Sequence, residues 1–189
     1  MKREREWWET RYRSGLRPHD GPPSSLLRRW LPELPRGRAL DVATGLGRNA
    51  LYLAKAGYTV DAIDVSPAGL EIAAARARRR RVRVRWIEAD LDTYPLPKSR
   101  YAVVVNAYFL KRGLWRALKA SVRPGGVLIF ETHLESRTAD GGPRRRSRLR
   151  PGELGKRFAN WDVLDIEEGT FREGGRAWLI GRIVARRPR

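Results

Sequence analysis

The sequence predicts an α/β protein, with a seven-stranded, mostly parallel sheet, helices on both faces and a C-terminal antiparallel hairpin. Three observations support this prediction. Five apolar runs of strand length alternate with segments of helical periodicity, an order typical of parallel sheets. The segment 38–49 (RALDVATGLGRN) passes from a buried strand through a glycine turn into a helix. The two last apolar segments, 161–168 and 176–186, are separated by REGG and indicate a hairpin.

Local signals place the other elements along the chain. Ser24 or Ser25 can cap a helix that ends near Pro32, and Ser66 followed by Pro67 starts another. The first five strands are predicted at 39–43, 58–65, 82–89, 101–107 and 127–132. Helices are predicted at 3–14, 26–31, 48–57, 67–81, 111–122 and 152–158, with a turn at the RPGG segment 123–126.

The length of 189 residues suits one domain, and 41% hydrophobic residues with seven Trp indicate a folded chain. We interpret 1–189 as a single domain, in which the helical segment 1–35 covers a ligand site and 36–189 forms the core. The chain has no Cys, no apolar run near the ~20 residues of a transmembrane helix, and no apolar secretory segment at its start. These features predict a cytoplasmic protein without disulfides and without a membrane partner.

The formal net charge is +19, and 34 of the 40 basic residues are Arg. One interpretation is binding to nucleic acid or another polyanion. The other is an Arg-rich genome or a thermophilic source, with most of the charges on solvated faces. We favour the second because the arginines are spread along the chain, although they are dense at 76–85 and 144–150.

The turn after the first strand is the main candidate for a binding site. Gly45 and Gly47 allow positive φ and a close approach of a ligand to the backbone. The helix that begins near Arg48 and Asn49 offers free N–H groups to a carboxylate or phosphate. Two-glycine turns also occur for packing reasons, so this turn alone predicts only an anionic or nucleotide-like ligand.

Acidic residues near the ends of the next two strands strengthen that prediction. Asp64 lies 19 residues after Gly45 (64 − 45), where a carboxylate can accept the hydroxyls of a ribose. A solvated or capping Asp is the alternative, but Ser66 already serves as the cap. Asp90 could accept a hydrogen bond from the exocyclic amine of a base that packs on Leu91. An Asp that merely starts a loop would fit the sequence equally well.

The carboxyl ends of parallel strands form one rim of the sheet, and this rim collects the candidate residues. Asn106 and Tyr108 follow the fourth strand, where the reacting end of a ligand would lie. With no Cys and only His19 and His133, we expect no metal site. His133 could act as a general base, although a core-edge His is the simpler interpretation. The predicted cofactor site comprises Tyr12, Asp41, Thr44, Gly45, Gly47, Arg48, Asn49, Asp64, Val65, Asp90, Leu91 and Asn106.

Several segments resemble known motifs in order and at compatible spacing. DVATGLGRNALYLAKAGYTVDAIDVSP resembles the Rossmann-like cofactor region of class I S-adenosylmethionine-dependent methyltransferases, and its GRNALYLAKAGY part resembles the tellurite-resistance branch. The resemblance covers about 36–187 and implies S-adenosyl-L-methionine as cofactor. The later segments that resemble this family are ADLDTYPLP, YAVVVNAYFL, VRPGGVLIFET and LRPGELGKRFANWDVLDIEEG.

The resemblance assigns roles to individual residues. It implies that Asp41, Thr44, Gly45 and Gly47 cradle the methionine part of the cofactor and that Arg48 and Asn49 support the loop. It also implies that Asp64 binds ribose and Asp90 binds adenine.

Two departures from the family pattern stand out. Ala43 occupies a position where the superfamily often has Gly. Phe171 stands where the tellurite branch has His, and Arg172 and Arg176 follow it.

The leading hypothesis is direct methyl transfer to a small, anionic or soft nucleophile, such as tellurite, selenite or a thiol, by a monomer or homodimer. Such a reaction needs alignment and exclusion of water rather than a protein nucleophile. The candidates for the acceptor pocket are Tyr108, His133, Arg172 and Arg176, with 135–151 as a lid. Two alternatives are an RNA methyltransferase that uses the Arg-rich surface and a noncatalytic module that binds the cofactor.

Overall fold

The computed structural model describes residues 2–15, 20–135, 147–173 and 175–189. The strands are β1 (Arg38–Val42), β2 (Thr59–Asp64), β3 (Val84–Glu88), β4 (Tyr101–Ala107), β5 (Val122–His133), β6 (Asp162–Glu173) and β7 (Arg176–Arg186). The helices are α1 (Lys2–Arg13), α2 (Ser25–Trp30), α3 (Arg48–Lys55), α4 (Pro67–Arg79), α5 (Trp115–Ser121) and α6 (Glu153–Arg157), with 3₁₀ turns at Leu31–Glu33 and Arg112–Leu114.

The seven strands form one sheet in the order β3-β2-β1-β4-β5-β7-β6. Strands β1 to β5 pair in parallel, whereas β7 is antiparallel to both β5 and β6. The predicted sheet and its C-terminal hairpin are therefore confirmed. After β1 the chain moves outward to β2 and β3, and it then returns to place β4 on the other side of β1. This reversal is the switch point at which open α/β sheets bind their ligands.

Helices cover both faces of the sheet, as the alternating side chains of β1 illustrate. Ala39 faces one core, where Leu27 of α2 is fully buried. Leu40 faces the opposite core, which includes Trp115 of α5 and Phe158, the residue after α6. Both cores are closed, so the sheet is buried on its two sides and fixes the position of its carboxyl rim.

Strand β5 begins earlier than predicted, because the RPGG segment lies inside it. Tyr101 pairs with Val122 but Val103 pairs with Val127, so the register shifts across RPGG and the chain bulges. A Cβ on Gly126 would lie 3.0 Å from a carbonyl oxygen of β4, so glycine permits this close approach. The predicted turn was wrong, because Pro-Gly-Gly is equally compatible with a bulge.

The C-terminal hairpin is longer than predicted, since β6 continues to Glu173. The buried guanidinium of Arg182 on β7 donates through Nε to Glu167 at 2.8 Å and lies 3.6 Å from the ring centroid of Phe171. Arg29 of α2 pairs with Glu167 at 2.9 Å and also with Asp165. These contacts attach α2 to the outer strand of the sheet.

Some sequence predictions fall outside the described residues. His19 and most of the predicted lid, residues 136–146, belong to this group. Among the helices that are described, none is long and apolar enough to cross a membrane.

Candidate functional site

A cavity opens at the carboxyl ends of β1 to β4, where the strand order reverses. It brings together most of the residues that the sequence predicts for a cofactor site. Gly47 and Asn106 are close in sequence to this group but do not line the cavity. The predicted residues that line it are Tyr12, Asp41, Thr44, Gly45, Arg48, Asn49, Asp64, Val65, Asp90 and Leu91.

Asp41 fastens the turn to the start of α3. Its Oδ2 accepts hydrogen bonds from the Thr44 hydroxyl at 2.5 Å and from the Ala50 amide at 3.0 Å. Burial raises the pKa of Asp41 to about 6, although these two bonds and the positive charge of Arg48 act in the opposite direction. The carboxylate therefore shapes the turn as well as bordering the cavity.

The two glycines of the turn have different neighbours. Gly45 has φ 55° and Gly47 has φ 78°, so both occupy left-handed conformations. A Cβ on Gly45 would lie 2.8 Å from the Tyr12 hydroxyl, which approaches from α1. A Cβ on Gly47 would lie 2.8 Å from the Trp86 ring and 2.9 Å from Ala73. Gly45 thus admits α1 to the site, whereas Gly47 lets α3 pack against α4 and β3.

Ala43 stands at the position where the superfamily often has glycine. Its φ is 50°, a left-handed value that is unfavourable for a residue with a Cβ. A glycine at this position could adopt the same conformation without that strain.

Asp64 joins the turn to the start of α4. Its Oδ2 accepts from the Gly45 amide at 2.7 Å, and its Oδ1 accepts from the Ser66 amide at 2.9 Å. Burial raises the pKa of Asp64, against the effect of these backbone bonds. The carboxylate also lines the cavity, so it can accept a hydrogen bond from a ligand hydroxyl in addition to those from the backbone.

Ser66 is the cap of α4, as predicted. Its hydroxyl accepts from the Gly69 amide at 3.3 Å, and Pro67 occupies the first turn of the helix. Asp64 is therefore not needed as the cap.

Asp90 and Leu91 show both of the features considered for them. The Asp90 Oδ1 accepts from the Asp92 amide at 3.0 Å, which is the local turn of an Asp that starts a loop. Both residues also line the cavity, and Leu91 is buried. A carboxylate beside an apolar surface is suited to a nucleobase.

Helix α1 lies across the cavity and presents Glu4, Trp8 and Tyr12 to it. These residues are spaced by four and therefore share one helical face. Trp8 stacks on Tyr12 with ring centroids 5.7 Å apart, and Tyr12 is only 6% exposed. Glu4 and Trp8 were not predicted, although their spacing from Tyr12 would have identified them.

Ionic and polar contacts attach α1 to the loops that follow three different strands. Glu9 accepts from the Ser66 hydroxyl at 2.6 Å, beyond β2. Arg5 pairs with Glu88 at the end of β3, and Glu4 pairs with Lys111 beyond β4 at 3.0 Å. Lys111 also lines the cavity and was not predicted.

Tyr108, the residue after β4, also borders the cavity. Its ring centroid lies 5.4 Å from the Arg48 guanidinium carbon and 5.3 Å from the His133 ring. His133 does not line the cavity and also contacts Trp178, with ring centroids 5.1 Å apart. Burial, and secondarily the charge of Arg148, lower the pKa of His133, so the imidazole is uncharged at neutral pH.

The arginines predicted for the acceptor pocket lie elsewhere. Arg172 and Arg176 are exposed near the tip of the β6–β7 hairpin and do not line the cavity. Phe171, which replaces the branch His, packs under Arg182. The proximity of Arg48 to Tyr108 was not predicted, because α3 and β4 are brought together only by the fold.

A family model described as a methyltransferase domain matches residues 39–126, from β1 into the bulge of β5. The match covers just under half of the chain and supports the expected resemblance to S-adenosylmethionine-dependent methyltransferases. Among curated relatives, hemagglutinin 1 of Eikenella corrodens is 28% identical over 139 residues, which are 70% of this chain and 46% of that protein. The chain spans between 25% and 57% of the length of other curated relatives that it matches.

Two solved structures support the fold. One, described as converting a disulfide bond into a thioacetal group during echinomycin biosynthesis, has a TM-score of 0.75 and 22% identity, with 98% of this chain and 93% of that chain covered. TehB of Haemophilus influenzae has a TM-score of 0.74 and 19% identity, with 86% and 61% covered. Both structures share the fold of this chain, and the family model supports the resemblance to class I methyltransferases.

The similarity to methyltransferases supports S-adenosylmethionine as the cofactor, and the residues of the cavity fit it. Asp64 lines the cavity and can face the hydroxyls of a ribose, and Asp90 with Leu91 offers a polar and an apolar contact for a base. The left-handed turn at Ala43 and Gly45 leaves its backbone beside the cavity.

Proposed function

We propose that this protein transfers a methyl group to a small, anionic or soft nucleophile, such as an oxyanion of selenium or tellurium or a thiol. The observation that carries the proposal is the group of residues around Tyr108 in the cavity. There the Arg48 guanidinium faces the Tyr108 ring, and the uncharged His133 lies behind it. A cation beside aromatic rings that forms no ion pair among the described residues suits a small anion or a polarisable sulfur.

In the proposed arrangement, the residues of the rim hold and orient the reactants. S-adenosylmethionine supplies a methyl group that its own sulfonium already activates. Asp64 holds the ribose and Asp90 the adenine, while the turn from Ala43 to Gly47 holds the methionine part. Trp8 and Tyr12 exclude water from above.

The acceptor would then lie against Tyr108, which separates His133 from the cavity. Because burial lowers the pKa of His133, its ring is an uncharged neighbour of Tyr108 rather than a second cation beside the acceptor. Alignment of donor and acceptor provides the larger part of the acceleration in such a reaction.

The first experiment is calorimetric titration with S-adenosylmethionine, followed by an acceptor screen that detects S-adenosylhomocysteine. The screen contains selenite, tellurite, thiols, halides and small amines. We expect turnover with an oxyanion or a thiol and none with amines. Turnover with amines alone would contradict the proposal, and no cofactor binding would contradict the enzymatic function altogether.

RNA methylation is the second candidate, favoured by a row of exposed arginines that runs from the end of α4 into β3. Binding to RNA with a steep dependence on salt, together with methyl incorporation into RNA, would favour it over the first. Cofactor binding without turnover on any acceptor would indicate a noncatalytic module. We further propose a cytoplasmic location. The exposed arginines are Arg78, Arg79, Arg80, Arg81, Arg83 and Arg85.

A further inference from the structure

Arg48 has a hydrogen-bonding capacity that the described residues do not use. Its Nη1 donates to the carbonyl oxygen of Pro22 at 3.1 Å. Its Nη2 is buried and makes no hydrogen bond within the described part of the chain. A buried donor of a charged group is costly when it lacks an acceptor. The guanidinium borders the cavity, so an anion bound there could supply that acceptor.

No carboxylate of the described residues satisfies this guanidinium. The described ion pairs include none with Arg48. The charge of Arg48 does act on Asp41, but the Oδ2 of that carboxylate already accepts from Thr44 and Ala50. The positive charge thus remains available to a ligand.

The backbone is strained at Tyr108, whose ring lies beside the Arg48 guanidinium. Tyr108 has φ 59°, an unfavourable left-handed conformation for a bulky residue. Its amide donates to the carbonyl oxygen of Glu131 at 2.8 Å. The Asn106 Nδ2 donates to the carbonyl oxygen of Phe109 at 2.7 Å and closes the same turn. Backbone strain that the surrounding structure maintains is a recurrent feature of functional sites.

The side-chain oxygen of Asn106 is a second buried polar atom without a partner in the described chain. Two unsatisfied groups and one strained residue therefore occur around the ends of α3 and β4. By contrast, Arg172 and Arg176, the arginines expected to bind an anionic substrate, are exposed on the hairpin.

We propose that Arg48 binds the anionic group of the methyl acceptor against the Tyr108 ring and so selects anionic acceptors. This inference rests on the proposed function and gives Arg48 a role beyond support of the loop. The acceptor group would be a carboxylate or an oxyanion, to which a guanidinium donates in a fixed planar geometry. The cofactor also carries a carboxylate, so the experiment must distinguish these two sources of the anion.

The test measures two affinities in the wild type and in Arg48→Gln. Calorimetry gives the dissociation constant of S-adenosylhomocysteine, and a second titration of the saturated complex uses selenite. We expect Arg48→Gln to raise the dissociation constant of selenite at least about tenfold, the range of a charged hydrogen bond. The dissociation constant of S-adenosylhomocysteine should change less than about twofold. Arg116→Gln is the matched control, because it removes the same charge from an exposed position of α5 outside the cavity and should change neither constant. Arg172→Gln is measured as well, because the sequence predicted this hairpin arginine for the acceptor.

Arg48→Lys keeps the charge but loses the planar donors, and it serves if Arg48→Gln fails to fold. We expect it to weaken the binding of selenite about threefold or more, again without a change in the binding of S-adenosylhomocysteine. Thermal melts of each variant report folding.

Each remaining outcome is decisive. Unchanged selenite affinity in either folded variant overturns the inference, as does selenite binding that Arg116→Gln or Arg172→Gln weakens equally. A tenfold loss of S-adenosylhomocysteine affinity assigns Arg48 to the cofactor carboxylate instead. A wild type that binds S-adenosylhomocysteine but not selenite refutes the anion site alone, whereas failure to bind S-adenosylhomocysteine refutes the proposed function.

Discussion

The rim of the sheet has two halves that differ in how fully their polar groups are satisfied. In the half formed by β1 and β2, Asp41 and Asp64 each accept two hydrogen bonds from the turn and helices around them. In the half around Tyr108, which follows β4, Asn106 and the facing Arg48 of α3 keep buried atoms without partners among the described residues. We call the first the cofactor half and the second the acceptor half, after the roles proposed for them.

This difference is consistent with the way in which methyltransferases differ from one another. Methyltransferases use one cofactor and many acceptors, so the cofactor half can be fixed by the chain itself. An acceptor half that selects one substrate must leave groups for that substrate to satisfy, because an unpaired buried group penalises the wrong ligand. Variants of the cofactor half should therefore affect stability and cofactor affinity together.

The largest effect is expected from Gly47→Ala, which tests whether the cofactor half is a packed unit. The left-handed backbone costs about 1–2 kcal/mol, and crowding of Trp86 and Ala73 about 1–3 kcal/mol more. Gly57→Ala is the control, since Gly57 has φ 89° but no atom within 4 Å of its added Cβ. Chemical denaturation should show the greater loss for Gly47→Ala, and equal losses would contradict the packing role.

The next effect concerns Asp41 and the pH dependence of stability. Its pKa rises from 3.8 to about 6 on folding, so its contribution is fully present below pH 3.8 and is lost as the pH rises through about 6. We expect the unfolding free energy of the wild type, relative to Asp41→Asn, to fall by up to about 3 kcal/mol between pH 4 and pH 7. Urea titrations at several pH values measure this difference, and parallel pH profiles of the two proteins would refute it.

A smaller effect is expected for cofactor binding by Asp64→Asn. Replacement of an ionised acceptor by an amide should weaken the binding of S-adenosylmethionine about 30-fold, or about 2 kcal/mol. Asp162→Asn, at the exposed start of β6, removes the same charge far from the rim and should have no effect. Calorimetry decides the matter, and a loss below about threefold would show that Asp64 only supports the turn.

The smallest effect is expected for Ala43→Gly, which removes strain from the turn. Glycine relieves the left-handed backbone but gains freedom in the unfolded chain, so stability should stay the same or rise by up to about 1 kcal/mol. In the middle of α4, Ala74→Gly should instead lose about 1 kcal/mol. Similar losses in denaturation experiments would mean that Ala43 is not strained in solution.

The cofactor half could be predicted from the sequence because its residues are local to the ends of strands. Asp41, Asp64 and Asp90 each lie near the carboxyl end of a predicted strand, and parallel topology brings such ends together. The cap at Ser66 was correct for the same reason, since it depends on neighbouring residues only. The bulge of β5 was missed because the same glycines serve two local structures.

The acceptor half depends on contacts between residues that are distant in the sequence. Nothing near Arg48 indicates that Tyr108 will lie beside it, and the left-handed conformation of Tyr108 has no residue signal such as glycine. The acceptor roles predicted for Arg172 and Arg176 relied on resemblance alone, and the hairpin places both away from the cavity. These roles remain predictions that the variant Arg172→Gln addresses.

The hairpin has a further consequence for association between molecules. Strand β6 forms an edge of the sheet, and Val163 and Ile166 are exposed large apolar residues on it. An edge of this kind is a template for pairing with a second copy. The edge also carries Asp162, Asp165 and Glu167, charged residues of the kind that discourage pairing of one edge with another. Asp165 and Glu167 already pair with Arg29, and Glu167 pairs with Arg182 as well. The exposed apolar residues of β6 therefore lie among ion pairs, an arrangement that disfavours association of two molecules through this edge.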